Sequence, residues 1–179
     1  GSFPSREVRA LLRDKENRLW AGTYNGLVRI FEKPSSDPST PRLTYKLYLP
    51  ELGNSQSLSH SQVRSLYEDR KGFIWVGTFR GGLNRFDPDK EIFTRYLTDV
   101  SNPNSLRFDD VRAMMEDSKN NFWVVTWGGG LEKMNREKGT FTHFFFDPDN
   151  NNGLKNNNLT SIMEDSKNRI WVGTAGSGF

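Results

Sequence analysis

The chain has 179 residues, a hydrophobic fraction of 34%, 13% aromatic residues and a formal net charge of +3. That length suffices for one domain with a substantial core in which large rings carry much of the burial, and Lys and Arg scattered among Asp and Glu argue against nucleic acid, whose binders gather basic residues on one face. The absence of cysteine excludes disulfides, thiolate metal sites and cysteine nucleophiles, and no apolar run is long enough for a membrane-spanning helix.

In chain order, Gly1-Ser2 reads as a tag remnant, so no cellular address is taken from this N-terminus. A first unit runs over 8–48 and carries "EKPSSDPSTPR" at 32–42, a Pro/Ser insertion expected to form an extended turn. The second unit, 63–97, parses most cleanly. "VRSLYED" is a strand, "RKG" a turn, "FIWVGTF" a second strand, and "RGG" turns into "LNRFD" before "PDKE" turns into "IFTRYLT". A third unit follows at 111–146, and 159–179 repeats only the first half of the pattern. No stretch sustains a helical period.

The units are copies. Trp20, Trp75, Trp123 and Trp171 each have an Asp six residues earlier (Asp14, Asp69, Asp117, Asp165) and a Thr three later (Thr23, Thr78, Thr126, Thr174). An apolar residue stands twelve before each Trp (Val8, Val63, Val111, Leu159), and two after it comes a small one (Ala10, Ser65, Ala113, Ser161). Four short strands per unit with hairpin-length connections make a propeller blade. The expected fold is all-β, a partial β-propeller of about three and a half four-stranded antiparallel blades.

Three packing expectations follow. Gly22, Gly77 and Gly173 share a face with the Trp two residues earlier and leave a gap for a ring of the next blade, while Val125 breaks that pattern. The pairs Gly81-Gly82 and Gly129-Gly130 supply the positive φ of a tight hairpin. Leu58, Leu106 and Leu154, lone apolar residues in polar connections, plug the crevices between blades. Three and a half blades also leave apolar faces open, so the chain is expected to be a piece of a larger ring or to self-associate through its open blade edges.

The pattern V-R-x-L-x-E-D-x-x-G-x-I-W-V-G-T-x-x-G-G-L-x-R-x-D at Val63 to Asp87 resembles the two-component-regulator propeller repeat, as does the connection from Asp99 to Leu106. The resemblance implies the periplasmic sensor region of a bacterial hybrid histidine kinase, many of which regulate glycan use. It further implies a larger parent with a β-sandwich, a membrane helix and a cytoplasmic kinase, so that any membrane contact lies in those other parts. Neither His60 nor His143 is the family's phosphoacceptor.

Candidate chemistry is sparse. The Glu-Asp pairs at 68-69, 116-117 and 164-165 recur at one place in three of the four units, which suits turn carboxylates accepting backbone N–H groups rather than catalysis. "DPDNNNG" at 147–153 superficially matches a calcium loop, but its glycine falls one position late and Asn158 replaces the bidentate Glu. A solvated Asn-rich turn is the simpler reading. His60 and His143 stand isolated in sequence, so no catalytic residue, metal or cofactor is assigned. The better candidates are residues that vary at a fixed place, just after each Thr at the second hairpin: Tyr24, Asn25, Phe79, Arg80 and Trp127. Rings there suit stacking on sugar faces, and Arg80 and Asn25 suit hydroxyls or an acidic sugar; the competing reading packs the rings against the next blade. The functional expectation is a non-catalytic sensor of an oligosaccharide or other small-molecule signal. A protein-interaction scaffold is the alternative, with a propeller lyase or glycosidase behind it.

Overall fold

The computed structural model describes residues 3–33, 42–150 and 153–176. The Gly1-Ser2 reading, most of the Pro/Ser insertion, the centre of the "DPDNNNG" turn and the last three residues lie outside them. Fourteen strands are present among the described residues, and no helix. The first antiparallel sheet is β1 (Val8–Arg13), β2 (Leu19–Thr23), β3 (Gly26–Lys33) and β4 (Arg42–Tyr48), in that spatial order. The second holds β5 (Val63–Glu68), β6 (Ile74–Thr78), β7 (Leu83–Asp87) and β8 (Ile92–Tyr96). The third holds β9 (Val111–Glu116), β10 (Phe122–Thr126), β11 (Gly130–Asn135) and β12 (Thr140–Phe144), and β13 (Leu159–Glu164) with β14 (Ile170–Thr174) forms a two-stranded remainder. The first strands β1, β5, β9 and β13 neighbour one another in sequence. These are three complete blades and half of a fourth.

The repeated Asp closes the first hairpin of each blade. In blade 2, Asp69 Oδ1 accepts the backbone N–H groups of Lys71 and Phe73 at 2.9 and 3.1 Å, while Oδ2 accepts the indole N–H of Trp75 at 2.8 Å. The same indole bond recurs at Asp14, Asp117 and Asp165. The preceding Glu does something different. Glu68, Glu116 and Glu164 each accept a backbone N–H from the hairpin of the blade before, at Lys15, Arg70 and Ser118. One carboxylate therefore shapes its own blade and the other ties it to its neighbour.

The cores lie between blades. Trp20, Leu27, Tyr48, Leu58, Val63, Ile74 and Phe86 fill the first interface, where Trp20 meets Phe86 edge-on at 5.5 Å. Trp75, Leu106, Val111, Phe122 and Met134 fill the second, with Trp75 and Phe122 ring centroids 4.5 Å apart. The third is small, centred on Val125, Leu131 and Leu159. Burying an aromatic or aliphatic side chain contributes roughly 1.5–3 kcal/mol, so these interfaces hold the blades together. Leu58 and Leu106 are fully buried and Leu154 packs against the third cluster, as crevice plugs do.

Two expectations are corrected. The gap left by Gly22 and Gly77 receives the leading valine of the next blade instead of a ring, because the first strands approach most closely where the blades converge. A Cβ on Gly22 would lie 2.6 Å from Val63 Cγ1, and one on Gly77 2.7 Å from Val111 Cγ1. In blade 3 the larger Val125 fills that gap from its own side and packs on Leu159. The positive φ of the second hairpin falls on Gly82 and Gly130 and on the residue before each glycine pair, Arg80 (φ 60°) and Gly128 (φ 110°). Gly81 and Gly129 are instead sites of close approach to the incoming loop, at His60 and Phe108.

Candidate functional site

Each first strand carries a β-bulge at one position. Val63 pairs with Thr78 and Ser65 with Gly77, so Arg64 is skipped, and the same shift leaves out Arg9, Arg112 and Thr160. A bulge re-aims the extra side chain. Here it sends three arginines onto the rings of the second hairpins: the Arg9 guanidinium carbon lies 4.8 Å from the Tyr24 ring centroid, Arg64 4.8 Å from Phe79 and Arg112 4.6 Å from Trp127. Arg64 also lies 5.7 Å from Tyr24, which joins blades 1 and 2, and Arg80 lies 5.0 Å from Phe79.

The hairpins bearing these rings are tied to the blade-to-blade loops. Phe79 N donates to Gln62 O, Trp127 N to Asp110 O, and Gly82 N to Asp109 O, each between 2.8 and 2.9 Å. Inside each hairpin the repeated Thr donates its hydroxyl to the carbonyl across the turn, at Gly26, Gly82 and Gly130. Rings on a doubly anchored turn are held in place.

The five predicted residues thus fall on equivalent hairpins, and their surroundings differ. Tyr24, Phe79 and Trp127 are half-buried, while Asn25 and Arg80 are exposed. Tyr24 accepts a bond from Arg9 at 2.8 Å through its hydroxyl. Asn25 donates to Pro4 O at 3.2 Å, which engages its amide with the chain itself. Tyr24, Phe79 and Arg80 are linked through Arg64; Trp127 and Arg112 form a separate pair further along, where Trp127 bridges to Asn158 of the last connection. Each of the three rings faces an arginine whose guanidinium carbon lies within 4.8 Å of its centroid. Reading the sequence did not select Arg9, Arg64 and Arg112. The signal available was an Arg directly after the leading apolar residue in three copies, but only the bulge shows where it points.

The charges on this face are unevenly paired. Arg9 reaches Glu7 at 3.1 Å and Arg112 reaches Asp110 at 2.8 Å. Beside Phe79, His60 packs edge-on at 6.2 Å, and burial together with the Arg80 charge lowers its pKa.

His143 is not isolated, as its sequence context suggested. Its Nδ1 lies 3.2 Å from Glu132 Oε2 and its Nε2 2.9 Å from Pro103 O. Glu132 is fully buried and also accepts Arg107 N at 3.1 Å. Burial pushes its carboxyl up to about 8 against the opposing pull of the Arg107 N–H. In blade 2 the same two register positions hold Asn84 and Arg95, which bind Ser59 N and the Ser57 and Leu58 carbonyls. The pair is therefore a clasp on the incoming loop. An apolar hollow of about 450 Å³ over Met163, Trp171 and Val172 is the uncovered face of the half blade, not part of this surface.

The model of the two component regulator propeller family matches residues 2–25, 57–80, 105–128 and 153–176, just over half of the chain. Among solved structures, the chain is similar to the extracellular domain described as that of hybrid two component system BT3049 from B. thetaiotaomicron, with 22% identity and a TM-score of 0.78 over 95% of this chain and 22% of that one. The corresponding domain of BT4673 from B. thetaiotaomicron gives 23% identity and a TM-score of 0.74 over 96% and 23%. Virginiamycin B lyase from Staphylococcus aureus gives 16% identity and 0.63 over 97% and 50%. At these identities the likeness shows the propeller fold, and the chain spans less than a quarter of the first two structures. No curated protein matches the chain.

Proposed function

The chain belongs to the two component regulator propeller family, and from that premise we propose that it is a non-catalytic extracytoplasmic sensor segment of a hybrid two-component regulator. Its ligand surface is the arc of Tyr24, Phe79 and Trp127 with their bulge arginines, and the ligand is an oligosaccharide. The observation that carries this reading is the repeated placement of a half-buried ring beneath a guanidinium on one face of successive blades. Such pairs offer a flat apolar platform edged by donors, which suits the axial C–H face and hydroxyls of a sugar ring. The likeness to extracellular domains of hybrid two-component systems supports the setting, and in the parent protein the periplasmic signal passes to a transmembrane histidine kinase. Ligand must then favour one arrangement of the parent over another.

A lyase of similar fold makes the enzymatic reading the natural rival. The buried Glu–His pair that would draw attention for catalysis is occupied by its own loop, at Arg107 and Pro103. A screen of glycan fragments read by thermal shift on the complete ectodomain separates the readings. Saturable stabilisation without turnover is expected; turnover, or stabilisation untouched by Trp127→Ala together with Tyr24→Ala, contradicts it.

A further inference from the structure

On the arc, two guanidiniums have no counter-ion among the described residues. Arg64 is half-buried between Tyr24 and Phe79, has neither hydrogen bond nor ion pair among the described residues, and its Nε is shut off from solvent without an acceptor. A buried donor left unpaired is costly, and a charged one more so. Arg80, against the same Phe79 ring, likewise has no described carboxylate within ion-pair distance. Of the acids on the adjoining strands and loops, Glu7 pairs with Arg9, Asp110 with Arg112 through Oδ2 while its Oδ1 is buried without a partner, and Asp109 holds the backbone and hydroxyl of Thr98.

Arg80 is also held at φ 60°, a left-handed conformation that strains a residue with a side chain. The matching position is glycine in the two later copies of this hairpin, Gly128 at φ 110° and Gly176 at φ 90°, while the shorter first copy has Asn25 there without a positive φ. Glycine is the undemanding residue there, so blade 2 carries a strained, exposed arginine where the turn itself requires none.

Resting on the proposed ligand surface, we infer that Arg64 and Arg80 form an oxyanion pair that takes a carboxylate or sulfate ester on the ligand while Tyr24 and Phe79 take its ring face. Both guanidiniums lie within 5.0 Å of the Phe79 ring centroid, so the two unneutralised charges share one ring. Guanidinium forks match the planar carboxylate and the sulfate oxygens. The ligand class is thus an acidic saccharide, and blade 2 is where its charge sits.

Calorimetry on the 179-residue chain with three probes tests this: trigalacturonate, its methyl ester, and a sulfated galactan tetrasaccharide. At least one charged probe should bind about tenfold or more tighter than the uncharged ester, as loss of a charge-assisted bond implies, and should weaken as salt rises. Which charged probe binds separates carboxylate from sulfate. Arg80→Gly should lose that advantage while its melting temperature holds or rises, since the turn is relieved; Arg64→Met should lose it as well. Binding in which neither charged probe exceeds the ester, with Trp127→Ala weakening all three, overturns the oxyanion pair and leaves the sensor surface standing. Binding of none of the three overturns the pair, and if neutral oligosaccharides also fail, the ligand surface falls with it.

Discussion

Asp69 closes three hydrogen bonds with one carboxylate, two to the hairpin backbone and one to the indole of Trp75, in a site only 2% exposed. Asp69→Ala orphans these donors and is expected to destabilise by about 2–4 kcal/mol in urea unfolding. Asp165→Ala should cost clearly less, because Trp171 is 43% exposed and the donors it frees reach water. Glu132 supplies the pH dependence. Carrying its proton, it donates to His143 Nδ1 and leaves Nε2–H for Pro103 O, which satisfies each contact of the clasp. Its folded pKa of about 8 stands above the ordinary 4.5. A raised pKa contributes stability that is full below the unfolded value and is lost as pH rises through the folded one. Unfolding midpoints should therefore fall between pH 5 and 8, by up to about 1.4 kcal/mol per unit. Glu132→Gln, neutral at every pH and still able to donate to Nδ1, should flatten that slope.

The elements were legible because their signals were local and repeated. Turn residues, alternation and the Trp, Asp and Thr offsets located nearly every strand, and Leu58 and Leu106 read as plugs from their isolation in polar loops. What the sequence hid was register. Nothing in "VRSL" shows that Arg64 is skipped by the ladder, so the arginines that complete the candidate surface were missed even though Tyr24, Phe79 and Trp127 were chosen. The partner of the repeated glycine was misread for a related reason: whether a ring or a valine enters depends on how closely adjacent first strands converge. That convergence is testable. Gly77→Ala places a methyl against Ser65 Oγ and 2.7 Å from Val111 Cγ1, with the Val111 carbonyl 3.0 Å away, and should cost about 1–3 kcal/mol. Gly173→Ala meets only Ser161 and Thr160 of its own half blade and should cost less.

Across the whole molecule burial fades along the arc. Trp20 and Trp75 are fully buried, Trp123 is partly so and Trp171 is 43% exposed, because each blade's Trp is covered by the blade that follows. Met163 at 57% and, at the opposite end, Leu11 at 68% leave apolar faces at both ends. Light scattering over rising concentration should give masses above the monomer, and Met163→Lys should reduce them; a concentration-independent monomer would contradict this. The position of the proposed ligand surface admits a sharper test, because the molecule labels it. Four indole N–H groups, those of Trp20, Trp75, Trp123 and Trp171, are held by the repeated aspartates. Trp127 alone stands on the arc, beneath Arg112. In a nitrogen–proton correlation spectrum titrated with a bound saccharide, the Trp127 indole signal should shift while those of the four Asp-held indoles stay in place. Saturation that leaves Trp127 unmoved, or that moves the Asp-held indoles instead, would contradict the account.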